Sequence, residues 1–250
     1  MTKVADVMSP VVVSLSVDAK AKELIEVLAR EKSGRVIITK DEKPEGIVTT
    51  RGIVRAYVEY GRNLLELKIK DLIREKLISS NVNDSLQDVI RKMISFDIGG
   101  VPVMDGDIIV GIFTERDLVK FMSTQVYSGL VDSIMSQNVV EITGNVNTLE
   151  ASKLMVEHGV RRLPIVIDGQ LKGIVTAADI VKSLSNSIEP RPVLEVGTRN
   201  PITVRRLDTI MKVVKIMDER RIGTLPVVED RLVGIVTERD LLYAAINSVN

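Results

Sequence analysis

The chain has 250 residues, of which 45% are hydrophobic and 27% are charged, with 34 basic and 34 acidic side chains. This balance gives no electrostatic reason to expect nucleic acid as the main partner, and no run approaches the roughly 18 apolar residues that span a membrane. The lack of cysteine excludes disulfides, thiol nucleophiles and thiolate metal sites. Since the N-terminus also lacks the apolar core of a signal peptide, we expect a cytoplasmic protein.

One short motif recurs four times and sets the period of the chain. Its clearest copy begins at Gly234 and reads Gly-Ile-Val-Thr-Glu-Arg-Asp. Close copies begin at Gly111 and Gly173, and an incomplete copy begins at Gly46. These glycines recur every 61 to 65 residues. Such a period predicts four tandem units of roughly 60 residues, and each motif reads as an apolar strand that runs into Thr-x-x-Asp and a helix.

Every repeat is predicted to contain the same elements in the same order. A short amphipathic piece leads into a β-branched strand, then an amphipathic helix, two strands joined by a turn, and a last helix. The β-branched strands are expected at 11–14, 77–80, 139–143 and 202–204. Asp168-Gly169 predicts a tight hairpin turn, residues 104–107 are expected to turn similarly, and repeat 1 is expected to have a longer turn over 40–45.

The first helix of a repeat carries one apolar stripe with i, i+3, i+4 and i+7 spacing, which indicates a buried face. We interpret its methionines as core filler, with a methionine-lined cofactor box as the alternative. The stripe is clearest in repeats 2 and 4, at Leu86, Val89, Ile90 and Met93 and at Ile210, Val213, Val214 and Met217.

Polar connectors near 60–67, 123–129 and 185–191 separate the repeats. A unit of about 60 residues buries too little surface to be stable alone, so we expect repeats to pair into common cores. Because the second connector falls midway, the predicted modules are 1–124 and 125–250. The first holds repeat 1 (about 3–60) and repeat 2 (about 68–123), and the second holds repeat 3 (about 130–185) and repeat 4 (about 192–247).

The Thr-x-x-Asp motif has a structural and a functional interpretation. As a capping box, the Thr hydroxyl accepts a first-turn N–H and the acid favours the positive helix end. As a nucleotide anchor, the helix N-terminus and the Thr hydroxyl bind phosphate, while the carboxylate accepts hydrogen bonds from ribose hydroxyls. Arg116 and Arg239, inside two of the motifs, either reach phosphates or form surface or interface ion pairs.

These residues resemble those of the cystathionine-β-synthase (CBS) domain family, whose repeats pair into Bateman modules. The combination that carries the resemblance is Leu-Pro-Ile-Val or Leu-Pro-Val-Val, then a turn, then Gly-Ile-Val-Thr-x-x-Asp. The resemblance implies an α/β (α+β) fold of four tandem CBS repeats, each a small three-stranded sheet with helices, packed pairwise with pseudo-twofold symmetry. It also implies regulatory adenosine ligands such as AMP, ADP, ATP or S-adenosylmethionine, with Thr on phosphate and Asp on ribose.

Carried over residue by residue, the resemblance implies three complete anchors, each with an adenine wall from the partner repeat. The pairs are Thr114 and Asp117 with Ser14, Gly34, Arg35 and Val36; Thr176 and Asp179 with Thr203, Gly223, Thr224 and Leu225; and Thr237 and Asp240 with Thr143, Arg161, Arg162 and Leu163.

Two repeats depart from this pattern. Gly52 replaces the Asp of repeat 1, so the ribose loses its acceptor and we predict that the Thr49 site is weak or empty. Ala177 and Ala178 replace the Glu and Arg of repeats 2 and 4, so the Thr176 site must find positive charge elsewhere or take a less charged ligand.

No assembled catalytic constellation is present in the sequence. The single histidine, His158, is interpreted as a helix-end or surface residue, and none of the common phosphate-loop or nucleophile motifs occurs. We therefore predict no enzyme activity, no metal and no catalytic cofactor.

The leading hypothesis is an energy or metabolite sensor that binds adenine nucleotides and signals to a separate effector protein. The alternatives are an interaction scaffold with vestigial pockets, an S-adenosylmethionine binder, or a nucleic-acid binder that uses basic doublets. Those doublets, which are otherwise solvated faces, are Arg205-Arg206 and Arg220-Arg221. Homodimerisation stays open, because Bateman modules of the family often pair into discs.

Overall fold

The computed structural model describes residues 1–31, 34–74 and 76–246. The predicted ends of repeat 4 at residue 247 and of the second module at residue 250 lie outside the described residues. Within the described ranges the chain is a mixed α/β structure of small sheets and short helices. This confirms the predicted fold class.

The elements recur in the predicted order in all four repeats. Repeats 1 and 2 contain β1 (Ser14–Ser16), α1 (Ala21–Arg30), β2 (Arg35–Lys40), β3 (Lys43–Thr49) and α2 (Thr50–Tyr60), then β4 (Ser80–Asn81), α3 (Leu86–Phe96), β5 (Gly100–Asp105), β6 (Ile108–Thr114) and α4 (Glu115–Met122). Repeats 3 and 4 contain α5 (Thr148–His158), β7 (Arg162–Ile167), β8 (Gln170–Thr176) and α6 (Ala177–Asn186), then α7 (Val193–Val196), β9 (Thr198–Arg199), α8 (Ile210–Arg220), β10 (Thr224–Val228), β11 (Leu232–Thr237) and α9 (Glu238–Ala245). Short 3-10 helices lie at Val4–Asp6, Gly61–Glu66, Ile69–Asp71 and Val131–Ser133.

Three of the described sheets have three strands, in the orders β1-β2-β3, β4-β5-β6 and β7-β8-β9, while β10 and β11 form a two-stranded sheet. The early strands are shorter than predicted. In repeats 3 and 4 they shrink to single parallel bridges, Ile142 with Ile165 and Val204 with Val227. An edge segment has a pairing partner on one side only, so a β-branched run there need not pair along its whole length.

The hairpin of repeat 3 is the predicted tight turn, with Asp168 at φ 52° and Gly169 at φ 75° between the paired residues Ile167 and Gln170. The longer turn predicted over 40–45 in repeat 1 is wrong. There Lys40 pairs with Lys43 around two residues at positive φ. A two-residue turn with both residues at positive φ matches the twist of the strands, so residues 43–45 are absorbed into β3.

The predicted apolar stripes of α3 and α8 are buried, including Met93 and Met217. This confirms the interpretation of these methionines as core residues. Helix starts are fixed locally, as at α3, where the Ser85 hydroxyl accepts the Asp88 N–H at 3.1 Å. A side-chain oxygen at this position satisfies one of the unpaired first-turn donors.

The described chain forms two compact units that combine repeats distant in sequence. Unit 1 comprises Met1–Val12, Ile78–Asn138 and Ile202–Asn250, and thus holds the bodies of repeats 2 and 4. Unit 2 comprises Val13–Leu77 and Val139–Pro201, and holds the bodies of repeats 1 and 3. In unit 1, α4 packs against α8 and α9, and in unit 2, α1 packs against α6 and α2 against α5. The predicted modules 1–124 and 125–250 pair sequence neighbours instead, and that pairing stays a prediction.

Candidate functional site

Each complete anchor threonine is the N-cap residue of the helix that follows it. In repeat 2, the Thr114 N–H donates to Asp117 Oδ2 at 2.8 Å and the Thr114 hydroxyl donates to the same oxygen at 3.0 Å. The Asp117 N–H in turn donates to Thr114 Oγ1 at 3.3 Å. The motif is therefore a reciprocal capping box at the start of α4.

The other two complete copies repeat this geometry. The Thr176 hydroxyl donates to Asp179 Oδ2 at 2.9 Å, and the Thr237 hydroxyl donates to Asp240 Oδ2 at 3.1 Å. The capping interpretation is thus confirmed as the geometry of the motif. Because the hydroxyl both donates and accepts within the box, a phosphate oxygen must compete with the carboxylate for its proton.

The incomplete copy in repeat 1 forms half of this box. Thr49 Oγ1 accepts the Gly52 N–H at 3.2 Å, and residue 52 has no carboxylate to return a bond. The helix α2 still begins at Thr50. A cap therefore needs the threonine alone. The aspartates of the other three copies can then have a second role. The weak or empty Thr49 site stays a prediction.

The glycine upstream of each complete anchor has a packing cause. A Cβ at Gly111 would lie 2.7 Å from the Ser9 carbonyl oxygen, and one at Gly234 would lie 2.9 Å from that of Ser136. The leading segment of the preceding repeat crosses there, since Ser9 bridges Ile112 and Ser136 bridges Ile235. At these distances a Cβ would force the neighbouring backbone to move. The motif glycines are therefore required by close backbone packing.

The residues before the second strand of each repeat also support the anchor helix of their own repeat. The N–H of Ala177, the first residue of α6, donates to the Arg161 carbonyl at 2.8 Å, and the N–H of Glu238 donates to that of Gly223 at 3.0 Å. Thr50 donates likewise to Gly34, which has φ +67°. The first-turn N–H groups that we expected to face phosphate are therefore partly committed to protein carbonyls.

The remaining wall residues occupy matching positions. Arg35 and Val36 begin β2, Arg162 and Leu163 begin β7, and Thr224 and Leu225 begin β10. Val36, Leu163 and Leu225 are buried, so their side chains belong to the cores, whereas Ser14, Thr143 and Thr203 are exposed. The assignment of these walls to particular anchors stays a prediction.

A partly buried ion-pair cluster joins repeats 2 and 4 inside unit 1. Arg239 Nε contacts Glu115 Oε1 at 2.7 Å, with side-chain exposures of 18% and 6%, and Arg239 also pairs with Asp97. Reciprocally, Arg116 Nη2 lies 3.6 Å from Glu238 Oε1. Burial works to lower the pKa of Arg239, but the charge and hydrogen bond of Glu115, supported by Asp97, raise it above the usual range.

This cluster places the two predicted phosphate arginines in an interface between repeats, which is the alternative considered for them. Their contact with a ligand stays a prediction. The sequence analysis missed Glu115, Glu238 and Asp97, although a signal was present. The Glu-Arg pair occurs in the motifs of repeats 2 and 4 and is missing from repeats 1 and 3, which marks the two repeats that share a core.

Asp179 is the anchor carboxylate with a described pKa shift. Burial raises its pKa above the ordinary value of 3.8, against the Thr176 backbone and hydroxyl donors and the charge of Lys182, which lower it. A ribose hydroxyl that donates to this carboxylate favours its ionised form. A ribose bound at the predicted Asp179 anchor would therefore bind more tightly as the pH rises above 3.8.

The same shift predicts a pH-dependent stability difference for Asp179→Asn. Because the folded protein holds this proton more tightly than the unfolded chain, the contribution of Asp179 is greatest below 3.8 and is lost as pH rises through the folded pKa. Urea unfolding of both proteins from about pH 4 to 7 measures this. The free energy of wild type minus variant should fall with pH and then level off, and a pH-independent difference would contradict the assignment.

Other chemistry has little support in the described chain. His158 is the exposed last residue of α5, as expected. Across residues 1–31, 34–74 and 76–246, no three His, Cys, Asp or Glu side chains are grouped to hold a metal ion. None of the helices in those ranges combines the length and apolarity that crossing a membrane requires. The basic doublet at 205–206 is paired locally, with Arg206 2.7 Å from Asp132 and Arg205 3.9 Å from Glu229.

The sequence pattern of the CBS domain matches residues 4–59, 69–124, 131–186 and 193–247. The chain therefore belongs to the CBS domain family and carries four CBS domains, consistent with two Bateman modules. The expectation from the repeated motif is thereby confirmed.

The known proteins that are similar to this chain include one that matches most of it and two that match part of it. The uncharacterized protein MJ1225 of Methanocaldococcus jannaschii is 28% identical over 191 residues, which is 70% of this chain and 68% of that protein. Its crystal structure, described as that of a candidate archaeal homolog of γ-AMPK, matches with a TM-score of 0.87 at 24% identity and covers 97% of this chain and 99% of that chain. This match shows that the two share a fold.

The other two similarities are partial. The L-aspartate semialdehyde sulfurtransferase of the same organism is 36% identical over 115 residues, which is 45% of this chain and only 22% of the enzyme. The CBS domain pair of protein MJ0100, crystallised with 5′-methylthioadenosine and S-adenosyl-L-methionine, is 36% identical over 45% of this chain and 96% of that chain, with a TM-score of 0.43. The matched segment is therefore a small part of the sulfurtransferase.

Proposed function

We propose that this chain is a cytoplasmic regulatory protein that binds an adenine nucleotide of the AMP, ADP or ATP type and signals its presence to a separate effector protein. Three anchors carry the binding: Thr114 with Asp117, Thr176 with Asp179, and Thr237 with Asp240. The observation that carries the proposal is the contrast with Thr49, which caps its helix without any carboxylate. Capping alone therefore does not explain why the other three copies have an aspartate.

The anchor chemistry fits a nucleoside phosphate. The threonine hydroxyl sits at the N-terminus of a helix, where positive potential favours phosphate. Inside the box, Oδ2 of each aspartate accepts the threonine hydroxyl. Carboxylates of this kind accept hydrogen bonds from ribose hydroxyls in dinucleotide folds. CBS membership and the similarity to a candidate γ-AMPK homolog agree with this ligand class.

A scaffold without ligands is the second candidate, and one observation favours it. Every complete anchor satisfies its own hydrogen bonds, so the fold does not need a nucleotide to complete the box. Local pairing of the 205–206 doublet, by contrast, gives no support to nucleic-acid binding.

A melting-temperature series with AMP, ADP, ATP, S-adenosylmethionine and NADH separates these candidates. A ligand present at 100 times its dissociation constant should stabilise the folded chain by about 2.7 kcal/mol. For a chain of this size the melting temperature would then rise by roughly 5 to 10 °C. If none of these compounds shifts the transition at millimolar concentration, the scaffold interpretation replaces the sensor.

A further inference from the structure

A buried tyrosine of repeat 1 holds the connector that follows repeat 3, inside unit 2. Tyr57 of α2 is 2% exposed, and its hydroxyl donates to the Ile188 carbonyl oxygen at 3.1 Å. Thr148, the buried first residue of α5, is a further hydrogen-bond partner of Tyr57. Burial raises the pKa of Tyr57 above its ordinary value, against the Thr148 hydrogen bond, which lowers it. The phenol therefore keeps its proton and remains a donor at neutral pH.

Thr148 fixes the same connector from its other side. The Arg191 N–H donates to Thr148 Oγ1 at 3.1 Å, and the Thr148 N–H donates to the Arg191 carbonyl oxygen at 2.8 Å. Two residues on, the Val193 N–H donates to the Val146 carbonyl oxygen at 3.0 Å. The chain over 188–193 is thus held both by α2 of repeat 1 and by the start of α5 in repeat 3.

This polar contact is specific to one of the four repeats. With the anchor threonines aligned, the position of Tyr57 is apolar in the other repeats, and so is the first residue of the other first helices, which is Thr148 in repeat 3. The corresponding residues are Met122, Leu184 and Ala245 for Tyr57, and Ala21, Leu86 and Ile210 for Thr148. Apolar burial is non-directional, whereas buried polar groups require partners in a fixed geometry. The contact therefore specifies one position for this connector.

The connector continues onto the strand that carries the Thr176 anchor. The helix α7 packs against β8, and β9 pairs with β8. A Cβ added at Gly197, between α7 and β9, would collide with the Ile174 carbonyl oxygen, so the two backbones are in direct contact. Since β8 ends at Thr176, continuous contacts lead from Tyr57 to the anchor strand.

We propose that Tyr57 is a positioning residue for the Thr176 anchor, because it holds the connector, and through it α7 and β9, against β8. Repeat 1, which has Gly52 in place of the anchor aspartate, thus controls the anchor strand of repeat 3. The inference rests on the proposed function only in treating Thr176 as a ligand site, since the contacts themselves need no ligand. Coupling between distant sites is carried by contiguous packed and hydrogen-bonded elements of this kind.

Hydrogen exchange of the ligand-free full chain tests the contact. Tyr57→Phe keeps the aromatic ring and removes only the hydroxyl. Amide exchange over 191–200 should become roughly five- to tenfold faster, as expected when a hydrogen bond that closes a local segment is lost. Thr148→Val should act in the same direction, because it removes the acceptor of the Arg191 N–H. Exchange in β2 of repeat 1 should stay as in the wild type.

Tyr60→Phe is the matched control, because it removes a phenol hydroxyl from the same helix. Tyr60 Oη accepts from Arg74 Nη2 at 3.3 Å rather than from the connector, so exchange over 191–200 should not change. The proposal is overturned if folded Tyr57→Phe and Thr148→Val exchange like the wild type over 191–200. It is equally overturned if exchange rises as much in β2, since that would indicate a general loss of stability.

AMP titration tests the link to the anchor in a chain that also carries Asp117→Asn and Asp240→Asn, so that the Thr176 anchor is the one measured. There Tyr57→Phe should weaken AMP binding at least about threefold, because the binding-competent position of β8 is less populated, and Tyr60→Phe should not. Unchanged affinity despite faster exchange would overturn the control of the anchor by repeat 1. Failure of the wild type to bind AMP would instead overturn the proposed function and leave the ligand-free result as it is.

Discussion

Glu115→Ala is expected to lower the free energy of unfolding by about 3 kcal/mol, the lower end of the range for breaking a buried pair. Glu115 is 6% exposed and lies 2.7 Å from Arg239. Its loss leaves a partly buried guanidinium that keeps its contact with Asp97. The effect comes mostly from that uncompensated positive charge, so replacing both Glu115 and Arg239 with apolar residues should cost less than the single change. Urea unfolding measures all three proteins.

The matched control is Glu66→Ala, which removes an acidic partner from an exposed pair. Glu66 lies 3.2 Å from Lys20, and the two side chains are 78% and 64% exposed. Such pairs contribute about 0 to 1 kcal/mol. If Glu115→Ala destabilises the protein no more than Glu66→Ala does, the cluster does not hold repeats 2 and 4 together.

The second large effect concerns the anchors themselves. Asp240→Asn should reduce nucleotide affinity at its anchor by about 10- to 100-fold, the loss expected for hydrogen bonds to a charged acceptor. The fold should be affected less, because the amide oxygen can still accept the Thr237 N–H and capping changes typically cost about 1 kcal/mol. Comparing the ligand-induced rise in melting temperature with the melting temperature of the free variant separates the two effects.

Thr49→Ala is the control for capping alone. It removes the hydroxyl that accepts the Gly52 N–H, in the copy that lacks a carboxylate. It should destabilise the fold by about 1 kcal/mol and leave the nucleotide response unchanged. A response lost equally in both variants would mean that the effect of Asp240→Asn is indirect.

Local features of the fold could be predicted from the sequence because they depend on neighbouring residues. The period of the motif predicted four repeats, the spacing of Leu86 to Met93 predicted a buried face, and Asp168-Gly169 predicted a tight turn. The turn at Asp41 and Glu42 was missed because non-glycine residues rarely adopt positive φ. The early strands were overestimated because β-branched residues favour extended structure without determining how far an edge segment pairs.

The grouping of repeats into common cores could not be predicted from the same information. Each repeat offers a similar apolar helix face, so periodicity does not decide which faces meet. The residues at the starts of the anchor helices differ between repeats, with Glu115 and Arg239 in unit 1 and Ala177 and Arg51 at the matching motif positions in unit 2. These differences become informative only when the contacts are known.

The anchors show a similar limit. Thr237 and Asp240 were singled out as a ligand anchor, and that assignment stays a prediction, because capping and ligand binding require the same residue types at the same spacing. The structure shows the cap, and it explains the upstream glycines through close packing. The aspartate still favours a ligand. The helix α2 begins after Thr49 although that copy of the motif has no aspartate.

Isothermal titration of the full chain with AMP tests binding through the anchors most directly. We predict saturable binding to the wild type and its loss in the combined variant Asp117→Asn, Asp179→Asn and Asp240→Asn, with that variant still folded by its melting transition. The single variants should each weaken one class of site. Equal AMP binding by the wild type and the folded triple variant would show that the anchors are caps and nothing more.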